Sequence, residues 1–152
     1  MTGPNSEALR IYRLLDAPVD EVFQAWVDPA ELMSWFGPQG CVVDSVEADC
    51  SVGGRYSILM TIPGGSQVRH VGHYLEVDPP NRLVFTWILA DQACEGDRGH
   101  HAETTVYLDL VAVGDKTELT LTHESLPDTG AVEAHRVGWS GSLDRLVASL
   151  LR

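Results

Sequence analysis

From Cys41 to Glu124 the chain alternates apolar and polar residues with a two-residue period, and turn residues interrupt it at short intervals. Successive side chains of a strand point to opposite faces, so this pattern calls for a sheet with one covered face. The strands read as CVVDSVEAD, RYSILMTI, QVRHVGHYLEV, RLVFTWILA, AETTVYLDLVAV and TELTLTHES. Links such as Pro63-Gly64-Gly65-Ser66, Asp78-Pro79-Pro80-Asn81 and Gly114-Asp115-Lys116 are too short for crossover helices, so neighbouring strands run antiparallel. An extended run from Ala8 to Leu15 supplies a seventh strand.

Two short helices follow that first strand. Asp16 is expected to cap the first, with Pro18 in its opening turn, and Val19, Val22, Phe23, Trp26 and Val27 recur at spacings of three and four. Asp28-Pro29 ends it and starts the second, PAELMSWF, which Gly37-Pro38 breaks. At the other end of the chain Val132, His135, Trp139, Leu143, Leu146, Val147 and Leu150 repeat about every 3.6 residues, the period of a helix. Some twenty helical residues span about 30 Å, the width of a small domain. A twisted antiparallel sheet of this size curls, and its concave side has to be covered. The predicted class is therefore α+β: a curved seven-stranded antiparallel sheet closed by a long C-terminal helix, with two short helices after strand 1.

At 152 residues the chain fits one domain, taken as 7–152, with 1–6 as a disordered extension. A domain this large buries about 70% of its extended surface and needs no disulfide or structural metal. The formal charge of -12 argues against DNA, RNA and anionic membranes as partners and serves solubility. Cys41, Cys50 and Cys94 fit neither a disulfide framework nor a CxxC metal site. Without an apolar leader or spanning stretch, the expected compartment is the cytoplasm.

Alternation sets Tyr56, Ile58 and Met60 on one face, and Leu83, Phe85, Trp87 and Leu89 on another strand's corresponding face. In TELTLTHE the plainly polar side is Glu118, Thr120, Thr122 and Glu124, which leaves His123 in line with Leu119 and Leu121, toward the helix. A buried imidazole needs a hydrogen-bond partner, and His135, one turn before Trp139, stands on the helix face turned inward. Trp35, Phe36, Tyr56, Trp87 and Trp139 suit either a dry core or the wall of an internal cavity. Neither His70 with His73, three apart on one strand, nor His100-His101 near Asp97 and Glu103 makes a metal site; no metal and no cofactor are expected. Lys116 lies in a turn, the glycine pairs lie in turns rather than phosphate loops, and Glu76 is the one strand carboxylate whose side the pattern leaves open.

The segments AWVDPAELMSWFGP, VGGRYSILM, GHYLEVDPPNRLVFTW, TELTLTHESLP and HRVGWSGSLDRL, in this order, resemble bacterial homologues of the activator of the heat-shock-protein-90 ATPase. Those proteins belong to the START-like (SRPBCC, Bet v 1-like) helix-grip superfamily, and the resemblance runs from about Ala8 to Leu151. It implies a helix-grip fold with an elongated apolar cavity, lined by Trp35, Tyr56, Trp87, His123 and Trp139. With Phe36, Ile58 and His135 these form the expected ligand cavity. The expected function is binding of a small apolar or aromatic molecule. One alternative is a cyclase or dehydratase on a polyketide-like substrate, with His123 as its acid or base and no other catalytic residue. Another is a chaperone-associated interaction module; a homodimer is left open.

Overall fold

The computed structural model describes residues 7–89, 103–126 and 129–150. Expectations for the 1–6 extension, Cys94, Asp97 and His100-His101 fall outside them.

Strand β1 (Glu7–Leu15) is followed by helices α1 (Val19–Val27) and α2 (Pro29–Trp35). Six strands come next: β2 (Val42–Ala48), β3 (Arg55–Thr61), β4 (Gln67–Asp78), β5 (Arg82–Leu89), β6 (Thr104–Val113) and β7 (Lys116–Leu126). Helix α3 (Thr129–Leu150) closes the order. The sheet runs β1-β7-β6-β5-β4-β3-β2 with every pairing antiparallel. Strands β2 to β7 are thus a continuous meander, and α1 with α2 carries the chain from edge strand β1 to edge strand β2. Register shifts in the β1–β7, β2–β3 and β4–β5 pairs are bulges of the kind that bend a strand, and the sheet is curved and open.

Pro18, not Asp16, holds the N-cap position of α1, and no side chain caps that end. The α2 cap follows the expected chemistry: Asp28 accepts from the Ala30 backbone N–H at 2.9 Å, and Pro29 takes the first turn, where a missing N–H costs nothing. Glu76 lies on the outer face and pairs with Arg82 at 3.2 Å, while Arg82 also meets Asp109 at 2.7 Å.

Two glycines explain close approaches. A Cβ at Gly72 would overlap the Thr86 carbonyl oxygen and stand 2.8 Å from the Tyr56 ring. The bare backbone lets Tyr56 lie across β4 and donate its hydroxyl to Thr86 O at 2.5 Å, which ties β3 to β5. On α3, a Cβ at Gly141 would come within 3.1 Å of Pro38, so this glycine lets the helix press on the segment after α2.

Helix α3 packs chiefly on β1, with lesser contact to α2 and β7. Its C-terminal half fills the space to the sheet with Leu143, Leu146 and Leu150. The stretch from Ala134 to Ser142 is different. Ala134, Gly138 and Ser142 recur every fourth residue, so a stripe of small side chains faces β3, β4 and β5. A Cβ at Gly138 would meet no atom of the described residues within 4 Å. Where the helix offers large residues it meets the sheet; where it offers small ones a space remains.

Candidate functional site

That space is a chamber of about 520 Å3, partly open to solvent. Phe36, Gly37 and Pro38 form one wall, and Met60, Ile62, Val68, His70 and Trp87 form the sheet side. Ala134, His135, Gly138, Trp139 and Ser142 form the helix side. Among the described residues no Asp, Glu, Lys or Arg lines it.

The aromatic wall is a connected set of rings. Trp87 and Trp139 lie 5.0 Å apart at 46°, and Phe36 meets Trp139 edge-on at 6.1 Å. His70 stacks on Trp87 at 4.4 Å and 23°. Quadrupolar rings favour such offset and edge contacts, which hold large faces apart instead of interlocking them as aliphatic side chains would.

Behind this wall runs a polar relay. Thr104 donates its hydroxyl to the Trp87 carbonyl at 2.8 Å, so its oxygen accepts from His123 Nε2 at 2.7 Å. Trp139 Nε1, a donor only, gives its N–H to His123 Nδ1 at 3.1 Å. These roles fix one tautomer: the proton of His123 sits on Nε2. The ring is completely buried, and desolvation, with the His135 ring 4.9 Å away, pushes its pKa down to about 3. His123 is therefore neutral near pH 7, and both nitrogens are engaged. It orients Trp139 and joins α3 to β5 and β6, but it has no nitrogen free for proton transfer.

A second anchor comes from α3. One terminal nitrogen of Arg145 lies 3.0–3.3 Å from the carbonyl oxygens of Phe36, Gly37, Pro38 and Cys41. Its two N–H groups are shared among four acceptors, of which Pro38 O also accepts from the Cys41 backbone N–H at 3.1 Å, so a guanidinium holds the loop by its carbonyls. With Gly141 against Pro38, this joins the Phe36–Pro38 wall to the helix.

The expected site residues divide. Phe36, Trp87, His135 and Trp139 face the chamber. Trp35 is fully buried below it and donates Nε1 to Ala25 O at 2.9 Å. Tyr56 and Ile58 line a separate void of about 20 Å3 with Trp26, Leu32, Phe36 and Trp87. Among the described residues the indole N–H groups of Trp26 and Trp87 have no acceptor. His123 stands behind Trp139.

Sequence reasoning missed His70, Met60, Ile62, Val68, Pro38, Gly138, Ser142 and Arg145 as chamber components. His70 was accessible from the pattern: counting back by twos from Tyr74 through Gly72 reaches His70 and Val68 on the inner face. Arg145 had no such signal, since its partners are backbone carbonyls of a loop more than 100 residues away.

A curved antiparallel sheet around a C-terminal helix, with a partly open aromatic chamber between them, defines a helix-grip domain. Residues 16–150 match the family described as Activator of Hsp90 ATPase homolog 1-like protein, and the chain belongs to that family. It is similar to protein CV1439 from Chromobacterium violaceum, at 29% identity over 98% of this chain and 99% of that one, with a TM-score of 0.83. The AHSA1 (SPO3351) protein from Silicibacter pomeroyi is 29% identical over 95% and 97%, TM-score 0.82. CalU16 from Micromonospora echinospora is 28% identical over 93% and 74%, TM-score 0.66. No functionally curated protein matches the chain. Among the described residues no helix is long and apolar enough to cross a membrane, and no group of three or more His, Cys, Asp or Glu is placed to hold a metal.

Proposed function

We propose that this protein binds a small apolar or aromatic molecule in the chamber between α3 and the β3–β5 part of the sheet. The observation that carries the reading is a volume of about 520 Å3, walled by Phe36, Trp87 and Trp139 and without a charged side chain among the described residues. Ligand pockets run from about 300 to 1,000 Å3 and are mainly apolar with a few polar groups. Ligand burial supplies the driving force, at roughly 25 cal/mol per Å2 of apolar area before ordering costs. Access lies between the Phe36–Pro38 segment, the turn joining β3 to β4, and the first turns of α3. His123, the group on which the acid–base alternative relied, is neutral and engaged at both nitrogens, which supports the binding reading over it.

Titration with Nile red, an uncharged aromatic dye, tests this reading, with native mass spectrometry of the protein as purified. Saturable one-site binding is expected, with dye emission shifted to the blue, and any co-purified molecule appears as a discrete mass excess. Folded protein that leaves the emission of Nile red unchanged up to its solubility limit overturns the proposal.

A further inference from the structure

A hydroxyl on the chamber wall is left without a partner among the described residues. Ser142 is only 3% exposed, lines the chamber, and has no hydrogen-bond partner for its hydroxyl among the described residues. It is not one of the polar atoms sealed away from all access, so the hydroxyl opens on the chamber. A hydroxyl withdrawn from bulk water is costly unless something pairs with it. Ala at the same helical position would raise helix propensity and avoid that cost.

The surroundings restrict what pairs with it. Among the described residues no Lys or Arg lines the wall to receive an anion and no Asp or Glu to receive a cation, and an ion moved there loses hydration with little compensation. One face of Trp87, one of the two indoles on the wall, is already stacked by His70 and so is closed to a cation. His135 donates Nδ1–H to the Ala131 carbonyl at 2.8 Å, which in the neutral ring leaves Nε2 as an acceptor. Serine can both donate and accept, so it matches a neutral oxygen.

We propose that the chamber selects an uncharged, flat aromatic molecule bearing a hydroxyl or carbonyl oxygen, and that Ser142 Oγ binds that oxygen. This rests on the chamber being a binding site, and makes Ser142 its specificity-determining residue.

The test is calorimetric titration of the native protein and Ser142→Ala with naphthalene, 2-naphthol, 2-naphthoate and 2-naphthylmethylammonium at neutral pH. The native protein should prefer 2-naphthol to naphthalene by about fivefold, the worth of one net hydrogen bond. Both ions should bind at least about tenfold more weakly than 2-naphthol. Ser142→Ala should erase the naphthol preference and keep naphthalene affinity within about twofold, with helix propensity favouring a folded variant. A preference retained in Ser142→Ala overturns the role of Ser142. An ion that binds as well as 2-naphthol overturns the uncharged class. Binding of no probe by the native protein overturns the chamber reading itself, and this inference with it.

Discussion

Gly138 offers the most discriminating perturbation, because its effects on stability and on binding should have opposite signs. A glycine inside a helix costs about 1 kcal/mol relative to alanine, through backbone entropy in the unfolded chain. A Cβ built there meets no atom of the described residues within 4 Å, so none of them opposes the change. Gly138→Ala should therefore stabilise the free protein by about 1 kcal/mol and raise its Tm by roughly 2–4 °C. The same methyl enters the chamber that the helix lines. Affinity for Nile red should fall about fivefold, the equivalent of about 1 kcal/mol of overpacking against the ligand. Gly138→Leu extends the argument: it fills the chamber and should weaken dye binding at least about tenfold while leaving the free protein folded. Val137→Leu, on the exposed neighbour, serves as the control and should leave dye binding unchanged and shift stability by no more than about 0.5 kcal/mol. Gly141→Ala should give no stabilisation, since its Cβ would press on Pro38 at 3.1 Å and offset the propensity gain. Thermal melts and dye titrations read all four variants. A loss of about 2 kcal/mol or more in free Gly138→Leu would mean that the space is already filled, and dye binding unaltered in that variant would place the dye elsewhere.

Three other outcomes follow from the same geometry. Gly72→Ala should cost about 3 kcal/mol or more by chemical denaturation, because its Cβ would overlap the Thr86 carbonyl and the Tyr56 ring; a loss below about 1 kcal/mol would contradict that crowding. Arg145→Met keeps much of the stem but removes the donor shared by the Phe36, Gly37 and Cys41 carbonyls, and should cost about 2 kcal/mol by denaturant titration and weaken dye binding; unchanged stability would show that the loop holds without it. His123 contributes a pH dependence of definite sign. Its folded pKa, about 3, lies below the unfolded value near 6.5, so below pH 6.5 the unfolded chain takes up a proton that the native state refuses. Its stability contribution is complete above pH 6.5 and falls by about 1.4 kcal/mol per pH unit down toward pH 3. The difference between native protein and His123→Gln, which cancels the common carboxylate titration, should show that slope; parallel pH profiles would refute it.

Most of the architecture was legible because it depends on local periodicity. The two-residue alternation from Cys41 to Glu124, the short turns, and the 3.6-residue stripe on α3 required seven antiparallel strands and a covering helix. His123 was placed inward for the same reason: Glu118, Thr120, Thr122 and Glu124 made the opposite face of β7 unambiguous. Patterning was weaker where both faces are covered, as on β5, where Val84 and Thr86 are buried along with Leu83, Phe85 and Trp87. It also failed at the start of α1, where Asp16 has the right chemistry for a cap but Pro18 occupies the position.

The sequence by itself determined which residues are large, which are small, and which face of each element they occupy. It could not determine the distance between those faces. Only the tertiary structure decided that Trp139 leans on His123, that Trp35 and Tyr56 are tied into separate layers, and that Arg145 fastens a remote loop to α3. The physical reason is that a cavity is a sum over elements distant in the chain: Ala134, Gly138 and Ser142 leave room only because bent strands and tilted, edge-packed aromatic rings hold the opposite wall away. Periodicity reports direction, whereas packing sets separation.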